Sequence, residues 1–414
     1  MGAAFLFLLL VGAPACQLPP PLPQEPADYG TGRARDATAE IPSGELLVRL
    51  ADQEERLELE VGGVGEGELR FSAEGETIRC SNGERRASFR VVPQRPRGAL
   101  TLDGRSYYGA LWIRLHENQG LRVENQVGLE HYIAGVVPSE LVLWSAEEPE
   151  IEAQAIAART YALQSLMHRQ KTGSAAFLWD DTRDQVYLGN YRGESSPAAQ
   201  RVEARYRRAL ASSRGRVVLN SAGQLYDVRF HASCGGNTCS PAEAFPSESG
   251  LHHAAVACEP CRMIGAKERA LPATDSTRRR VHWNWTADGP ALSQLAHAIG
   301  VGQHVLALRD VKVDRHARWQ SVVVEGDQGH LRISVERLRR ELGPARLKGS
   351  AILRTWPALG DPIESGLFFE GVGRGHGAGL CQVGSHEYAR QGWSARQILQ
   401  HYLPGARIAA VPSE

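Results

Sequence analysis

The chain has 414 residues, 42% of them hydrophobic, and its 47 Lys and Arg residues are balanced by 47 Asp and Glu residues. A chain of this size can bury a sizeable core and is long enough for about two or three domains. The formal net charge of zero argues against a protein that binds nucleic acid through bulk electrostatic attraction. We therefore expect no nucleic-acid partner.

The first residues of the chain are typical of an export signal. The apolar run from Ala3 to Val11 is too short to span a bilayer, and small residues and then Cys16 follow it. This pattern predicts a signal peptide over residues 1–15 and an acylated Cys16, as in an exported, membrane-anchored lipoprotein of the cell envelope. Cleavage by an ordinary signal peptidase and a cytosolic chain with an apolar start are the alternatives.

Residues 16–43 contain the stretch QLPPPLPQEP, which cannot pack a core and is typical of a semi-extended tether. A lipid anchor followed by such a spacer would hold a globular body off a membrane. The sequence therefore predicts that the protein contacts a membrane through its lipid anchor alone.

Short alternating hydrophobic runs follow over residues 44–126, among them GELLVRL, ERLELEV and GALWIRL. Asn-Gly and Asp-Gly pairs separate such runs, which predicts strands joined in hairpins. We interpret this stretch as a small β-rich region with a supporting role, followed by a mixed domain over residues 127–412. The predicted fold class is therefore α+β.

The clearest helical pattern is EPEIEAQAIAARTYALQSLMHRQ, where one apolar stripe contains Ile151, Ala155, Ala158, Ala162 and Leu166. The small alanines imply that another element packs very close to this helix. Further helices are predicted around residues 198–210 and, near the C-terminus, in SHEYARQ and SARQILQHYL.

Glu140 lies among apolar residues in HYIAGVVPSELVLW. A carboxyl in such surroundings loses hydration, which raises its pKa and lets it act as an acid near neutrality. A structural role, as a helix-flanking residue or in an ion pair with Arg159, is the alternative from the residues alone.

The run GRGHGAGLCQVGS, residues 373–385, is the most glycine-dense of the chain. Gly379 and Gly384 have the spacing of a phosphate-binding loop, but Ser385 stands where the Lys of that motif belongs. We therefore interpret the glycines as positions of unusual backbone angles or of close approach by other groups.

The cysteines agree with export, because an even set of six remains once Cys16 is set aside. The pairs Cys234/Cys239 and Cys258/Cys261 are separated by residues 240–257, which is close to the spacing of a structural four-Cys zinc site. In an oxidising compartment the same four could form two disulfides. Both interpretations stay open, and neither is catalytic, since nothing resembles the H-E-x-x-H zinc motif.

Several separate motifs, in one order along the chain, carry a resemblance to a known family. They are VGLEHYIAGVVPSEL, IEAQAIAARTYAL, QVY at 185–187, FHASCGG at 230–236, GRGHGAGLCQVGS, and a closing GW…ILQHYLPG. Together they resemble the SpoIID family, the stage II sporulation protein D and LytB amidase-enhancer group. The resemblance runs from about residue 107 to residue 408.

The resemblance implies a lytic transglycosylase that acts on peptidoglycan glycan strands, needs no cofactor and uses Glu140 as its catalytic residue. It also implies that Arg159 and Tyr161, which the motif retains, contact substrate. In this setting the glycine loop would line a glycan groove, with His376 and Gln382 directed at the sugar. The alternative for His376 is that it satisfies a buried backbone group.

Three departures from the family pattern bear on activity. Glu152 replaces a basic residue on the predicted helix, while Cys381 and Val383 replace the Ser and Tyr of the glycine loop. Some members also carry His and Cys metal ligands before Q-V-Y, where this chain has WDDTRD. These differences favour a second hypothesis, a non-catalytic cell-wall-binding protein that stimulates an N-acetylmuramoyl-L-alanine amidase.

Overall fold

The computed structural model describes residues 44–50, 56–64, 67–95, 98–116, 120–174, 176–191, 196–245, 254–271 and 280–411. The predicted signal peptide, the proline-rich tether and Cys16 lie outside these residues. The described chain contains both helices and strands, which confirms the α+β class. Within this part, no helix combines the length and the hydropathy needed to cross a membrane.

The N-terminal region folds into strands joined largely by hairpins, as predicted. These strands are β1 (Glu45–Arg49), β2 (Glu58–Gly62), β3 (Glu68–Glu74), β4 (Thr77–Cys80), β5 (Arg85–Arg86), β6 (Ser88–Val91), β7 (Leu100–Leu102), β8 (Arg105–Tyr107), β9 (Ala110–Leu115) and β10 (Leu121–Gly128). One sheet has the order β5-β4-β3-β2-β7-β8. In the other, of order β1-β10-β9-β6, β1 also pairs in parallel with β11 (Leu178–Trp179).

The middle of the chain is mainly helical. Its elements are α1 (Leu129–Glu140), α2 (Glu148–Thr172), α3 (Pro197–Ser213), β12 (Arg216–Leu219), β13 (Phe230–His231), α4 (Pro241–Ala244) and α5 (Glu259–Arg269). The C-terminal elements are β14 (His282–Asp288), α6 (Gly289–Ile299), β15 (Val305–Val313), β16 (Trp319–Gly326), β17 (Gly329–Ser334), α7 (Val335–Leu342), β18 (Ala351–Trp356), β19 (Gly366–Val372), β20 (Leu380–Cys381), α8 (Gln382–Arg390), α9 (Ala395–Tyr402) and β21 (Arg407–Ala410).

Helix α2 lies at the centre of the helical region, where α1, α3, α8, α9 and β12 all contact it. Every residue of its predicted apolar stripe is buried. Burial extends to polar residues on its other faces, including Gln154 and Arg159, because neighbouring elements cover the helix on several sides. The alanines allow this close packing, as the sequence predicts.

Strand β10 leads directly into α1, so the boundary predicted at residue 126 falls inside a strand. Residues of the N-terminal sheets, of α1 and of α2 share one hydrophobic core, to which Val48, Ile113, Val136 and Ile151 contribute. The β-rich region is therefore packed directly against the helices that carry the candidate site.

The region from β14 to β19 has a hydrophobic core of its own, formed by residues such as Trp283, Leu295, Val324 and Phe369. On either side of it in the chain, β13 and β20 pair in parallel, with Phe230 opposite Leu380 and His231 opposite Cys381. This pairing brings the FHASCGG run beside the glycine loop.

Helix α1 makes a close contact with Tyr187 of Q-V-Y and with Gly189, which follows it. A Cβ at Gly135 would overlap the ring of Tyr187 and lie 2.5 Å from the carbonyl oxygen of Gly189. The Tyr187 hydroxyl donates to Oδ1 of Asn125 on β10 at 2.8 Å, so this ring cannot move freely. The glycine therefore sets the distance between α1 and this segment.

We predict that Gly135→Ala lowers the free energy of unfolding by about 1–3 kcal/mol, because the added methyl group overpacks a rigid contact. Alanine in a helix otherwise favours stability over glycine by roughly 0.5–1 kcal/mol. The control is Gly289→Ala in α6, where a Cβ meets nothing within 4 Å. Equilibrium urea denaturation gives both values, and a Gly135→Ala protein as stable as the control would contradict the close contact.

Candidate active site

Glu140 is the last residue of α1, and it is half-buried. Its Oε1 accepts a hydrogen bond of 2.9 Å from the backbone N–H of Val186. The neighbouring Ser139 hydroxyl donates to the carbonyl of Gly135 at 2.7 Å and accepts from the N–H of Leu188 at 3.2 Å. These bonds hold the C-terminal end of α1 against the chain around Q-V-Y.

Burial raises the pKa of the Glu140 carboxyl above its ordinary value. The Val186 N–H and the Gln382 side chain act in the opposite direction, because both favour the carboxylate. A helix C-terminus also disfavours a negative charge, and the last turn of α1 has no basic residue to offset this effect. The group is therefore suited to hold a proton and to donate it.

The segment that carries Val186 is fixed by the carboxylate of Asp184, whose side chain is 2% exposed. Arg169 donates to both of its oxygens, at 2.9 and 2.8 Å, and the Tyr161 hydroxyl and the Trp179 N–H each donate at 2.8 Å. Asp184 belongs to WDDTRD, the stretch that departs from the metal-ligand pattern of some relatives. In this chain, the ion-pair network of Asp184 fixes the Q-V-Y segment at the position where those relatives carry metal ligands.

Gln382, the first residue of α8, approaches Glu140 from the glycine loop. Its side chain lies near enough to lower the pKa of that carboxyl. Its buried Nε2 nevertheless makes no hydrogen bond of standard geometry with any described group. A buried donor without a full partner is a group to which a ligand can bind.

The alternating glycines of the loop are explained by backbone angles. Four of them have φ values of +81°, +93°, +84° and +74°, in the left-handed region that other residues disfavour: Gly373, Gly375, Gly377 and Gly379. Such a backbone explains the spacing without a phosphate ligand.

His376 does not present a free polar atom to a sugar. Its Nδ1 accepts from the N–H of Ala378 at 3.1 Å, so Nε2 carries the proton and donates to the carbonyl of Phe230 at 2.9 Å. Burial lowers the pKa of His376 well below its ordinary value. The substrate contact predicted for His376 is therefore replaced by the alternative, a histidine that satisfies buried backbone groups.

Arg159 is fully buried, which contradicts a substrate contact. Its Nε and Nη2 donate to the two carboxylate oxygens of Glu130, at 2.8 and 2.7 Å. Its Nη1 donates to the carbonyls of Ser213 and Arg216, each at 2.9 Å. The residue joins α1, α2 and the turn after α3, so its role is structural.

Tyr161 is 7% exposed, and its hydroxyl donates to Asp184. Burial raises the pKa of this phenol, which stays protonated. The prediction that Tyr161 contacts substrate is therefore replaced by a structural role, because its hydroxyl belongs to the hydrogen-bond network that fixes the Q-V-Y segment. Glu152, the departure from the family pattern on the same helix, is ion-paired with Arg216, which balances its charge locally.

The cysteines group differently from the sequence prediction. Four buried thiols lie together, with their Sγ atoms all within 4.8 Å of one another: Cys234, Cys258, Cys261 and Cys381. Cys239, the fourth member predicted from spacing, instead donates to the carbonyl of His376 at 3.3 Å. None of the six described cysteines is in a disulfide.

Sequence reasoning missed two features beside Glu140. The first is the Val186 N–H, which no side-chain pattern can reveal because the backbone makes the contact. The second is a group of exposed apolar side chains on both segments that meet there, with exposures of 73% for Val142, 55% for Trp144 and 46% for Leu188. Their apolar character was visible in the sequence, but their exposure was not.

The fold and site define an α+β protein with a half-buried, proton-holding carboxyl at a helix end, backed by a glycine-rich loop. Residues 117–219 match the family model described as SpoIID, stage II sporulation protein. The chain is 26% identical over 309 residues to a stage II sporulation protein D of Bacillus amyloliquefaciens, covering 73% of this chain and 79% of that protein. It is also 26% identical over 316 residues to an uncharacterized protein of Brachyspira hyodysenteriae, covering 75% of this chain and 74% of that protein.

These matches support the predicted resemblance, and residues 117–219 are similar to the SpoIID family. This similarity supports a role related to the cell wall.

We predict that Arg159→Met lowers the free energy of unfolding by about 3 kcal/mol or more, because it leaves the Glu130 carboxylate without its buried partner. The control is Arg208→Met, which removes the ion pair of an exposed arginine of α3 with Glu148 of α2. That change should cost about 1 kcal/mol or less. Equal stability of the two variants, with glycan binding lost in Arg159→Met alone, would restore the substrate role.

Proposed function

We propose that the protein is a lytic transglycosylase that cleaves peptidoglycan glycan strands, with Glu140 as its catalytic acid and base. The observation that carries the proposal is the half-buried Glu140 carboxyl with a raised pKa, held by the Val186 N–H at the end of α1. A general acid near neutral pH needs such a raised pKa.

One carboxyl is sufficient for this reaction. Protonated Glu140 donates to the glycosidic oxygen as the bond from that oxygen to C1 of the muramic residue breaks. The resulting carboxylate then takes the proton of the C6 hydroxyl of the same residue, whose oxygen closes a 1,6-anhydro ring on C1. Atoms balance without water, and Glu140 ends in its starting protonation state.

The surroundings of Glu140 favour a transglycosylase over a two-carboxylate hydrolase. Among the described groups, those that shift the pKa of Glu140 include no second carboxylate. Most glycosidases that hydrolyse with protein groups alone use a pair of acidic residues flanking the scissile bond. When the substrate supplies its own hydroxyl as nucleophile, the second residue is not needed.

Two further features suit a glycan. Val142 and Trp144 follow Glu140 closely in the chain, Leu188 follows the Q-V-Y segment, and all three side chains are exposed. An exposed aromatic ring can stack on the apolar face of a sugar. The Gln382 amide, whose Nε2 lacks a full partner, can donate to a sugar oxygen. We include export and anchoring through Cys16 in the proposal, because that location would bring the site to its substrate.

The second candidate function is a non-catalytic enhancer of a cell-wall amidase. One observation favours it: Arg159, Tyr161 and His376 all use their polar atoms within the protein, which leaves fewer groups for a sugar. Such a protein would bind glycan strands without cleaving them.

We predict that Glu140→Gln lowers strand cleavage by about 10²–10⁴-fold, because the amide cannot donate the required proton. Binding of glycan strands should change little. The control is Glu148→Gln, at an ion-paired surface position of α2 that should leave cleavage unchanged. Mass spectrometry of the wild-type products, on strands with and without stem peptides, should show 1,6-anhydro-muramic ends. Reducing ends would contradict the mechanism, and binding without any cleavage by the wild type would establish the enhancer.

We predict that cleavage falls as pH rises through the raised pKa of Glu140, since only the protonated carboxyl is active. The Gln382 side chain lowers this pKa, so Gln382→Met should move the alkaline limb of the kcat/KM profile to higher pH, whatever happens to the maximum rate. A limb that stays in place or moves to lower pH would mean that Gln382 does not act on Glu140.

A further inference from the structure

The four-thiol cluster joins three stretches that are far apart in sequence. Cys234 follows β13, Cys258 and Cys261 begin α5, and Cys381 ends β20 immediately before α8. All four are 1% exposed or less. The Sγ atoms of Cys261 and Cys381 are 3.4 Å apart.

The sulfur positions fit one tetrahedral metal ion. With Zn–S bonds of about 2.3 Å, the sulfurs of a tetrahedral site are roughly 3.8 Å apart. The cluster is compatible with this value, because one sulfur pair is 3.4 Å apart and all four sulfurs lie within 4.8 Å of one another. A disulfide needs about 2.05 Å between two sulfurs and would leave the other two thiols buried beside it.

Hydrogen-bond donors surround the sulfurs. The backbone N–H groups of Cys234 and Gly384 donate to Sγ of Cys381 at 3.3 and 3.4 Å, and that of Gly236 donates to Sγ of Cys234 at 3.4 Å. The Tyr402 hydroxyl lies 3.0 Å from Sγ of Cys258. Such donors are the outer contacts that stabilise and orient thiolate ligands of a metal.

A buried cation provides independent support. Arg318 is 4% exposed, and its guanidinium donates to neutral oxygens, those of the Cys234 and Asn237 carbonyls and the Ser350 hydroxyl. Within the described part of the chain, no carboxylate lies within ion-pair distance of it. A buried charge without a counter-charge is costly. Four thiolates around a divalent ion carry a net charge of −2, and the guanidinium donates to the backbone carbonyl of one of them, Cys234.

We propose that Cys234, Cys258, Cys261 and Cys381 bind one structural Zn²⁺ ion, which fixes the glycine loop to α5 and to the FHASCGG run. Four protein ligands leave no open coordination position, so the ion has no catalytic role. The site also explains why the chain departs from the family pattern at position 381, since Cys381 is a ligand. It explains Gly384 as well, because a Cβ there would overlap the Tyr402 hydroxyl and lie 2.6 Å from Sγ of Cys258.

The site has a consequence for Glu140. Gln382 follows Cys381 directly, so the ion would fix the backbone from which Gln382 reaches the carboxyl. This consequence depends on the proposed function, whereas the metal assignment does not.

The first test measures the metal content of the full-length protein, purified from cells grown with zinc. We expect about one zinc per chain. Cys258→Ser and Cys381→Ser should lose it. Cys239→Ser and Cys80→Ser should keep it, and Cys239 is the sharper control because it is equally buried and close in sequence to Cys234.

If the serine variants do not fold, measurements on the wild-type protein test the metal assignment instead. In the native protein, a thiol-alkylating reagent should leave the four ligands unmodified until a chelator removes the ion, as peptide mass mapping can show. Replacement of zinc by Co²⁺ should give the thiolate-to-metal charge-transfer absorption of a tetrathiolate site. Chelation should also speed amide hydrogen exchange over residues 376–385.

Four outcomes would overturn the assignment: no bound metal, iron in place of zinc, disulfides among these cysteines, or zinc lost in Cys239→Ser but kept in Cys381→Ser. Glu140→Gln should keep its zinc. The metal site and the catalytic proposal can therefore fail separately.

Discussion

The hydrogen bond from the Val186 N–H to the Glu140 carboxyl is the contact on which the rest of the site depends. It joins the end of α1 to the Q-V-Y segment, and it keeps a carboxyl half-buried, with no cation among the described groups that shift its pKa. Gly135 allows the two segments to approach, and the Asp184 network fixes the donor from the other side. Gln382 completes the surroundings from a third part of the chain.

The sequence was informative wherever local pattern decides structure. The hairpins of the N-terminal region, α2 with its buried alanines and the apolar surroundings of Glu140 were all visible, because period and hydrophobicity report burial directly. The β14–β19 region was mostly missed. Its core joins residues such as Trp283 and Phe369, which are distant in sequence and belong to no single periodic run.

The candidate site shows why motifs alone assign roles poorly. Arg159 and Tyr161 were expected to bind substrate because the motif retains them, yet their partners, Glu130 and Asp184, lie elsewhere in the chain. The cysteine spacing grouped Cys239 with three other thiols, but the structure places Cys381 beside those three instead. Cys381 lies 147 positions from Cys234 and reaches it only because β13 and β20 pair, which no local spacing can reveal.

The central claim, that Glu140 is the proton donor to the scissile bond, is tested most directly by a crystal structure of Glu140→Gln with a bound glycan strand. The account predicts the side chain of residue 140 about 2.6–3.2 Å from a glycosidic oxygen, with the muramic C6 hydroxyl on the same side of the ring. A strand bound in an ordered way at another surface, with residue 140 touching no sugar, would contradict it.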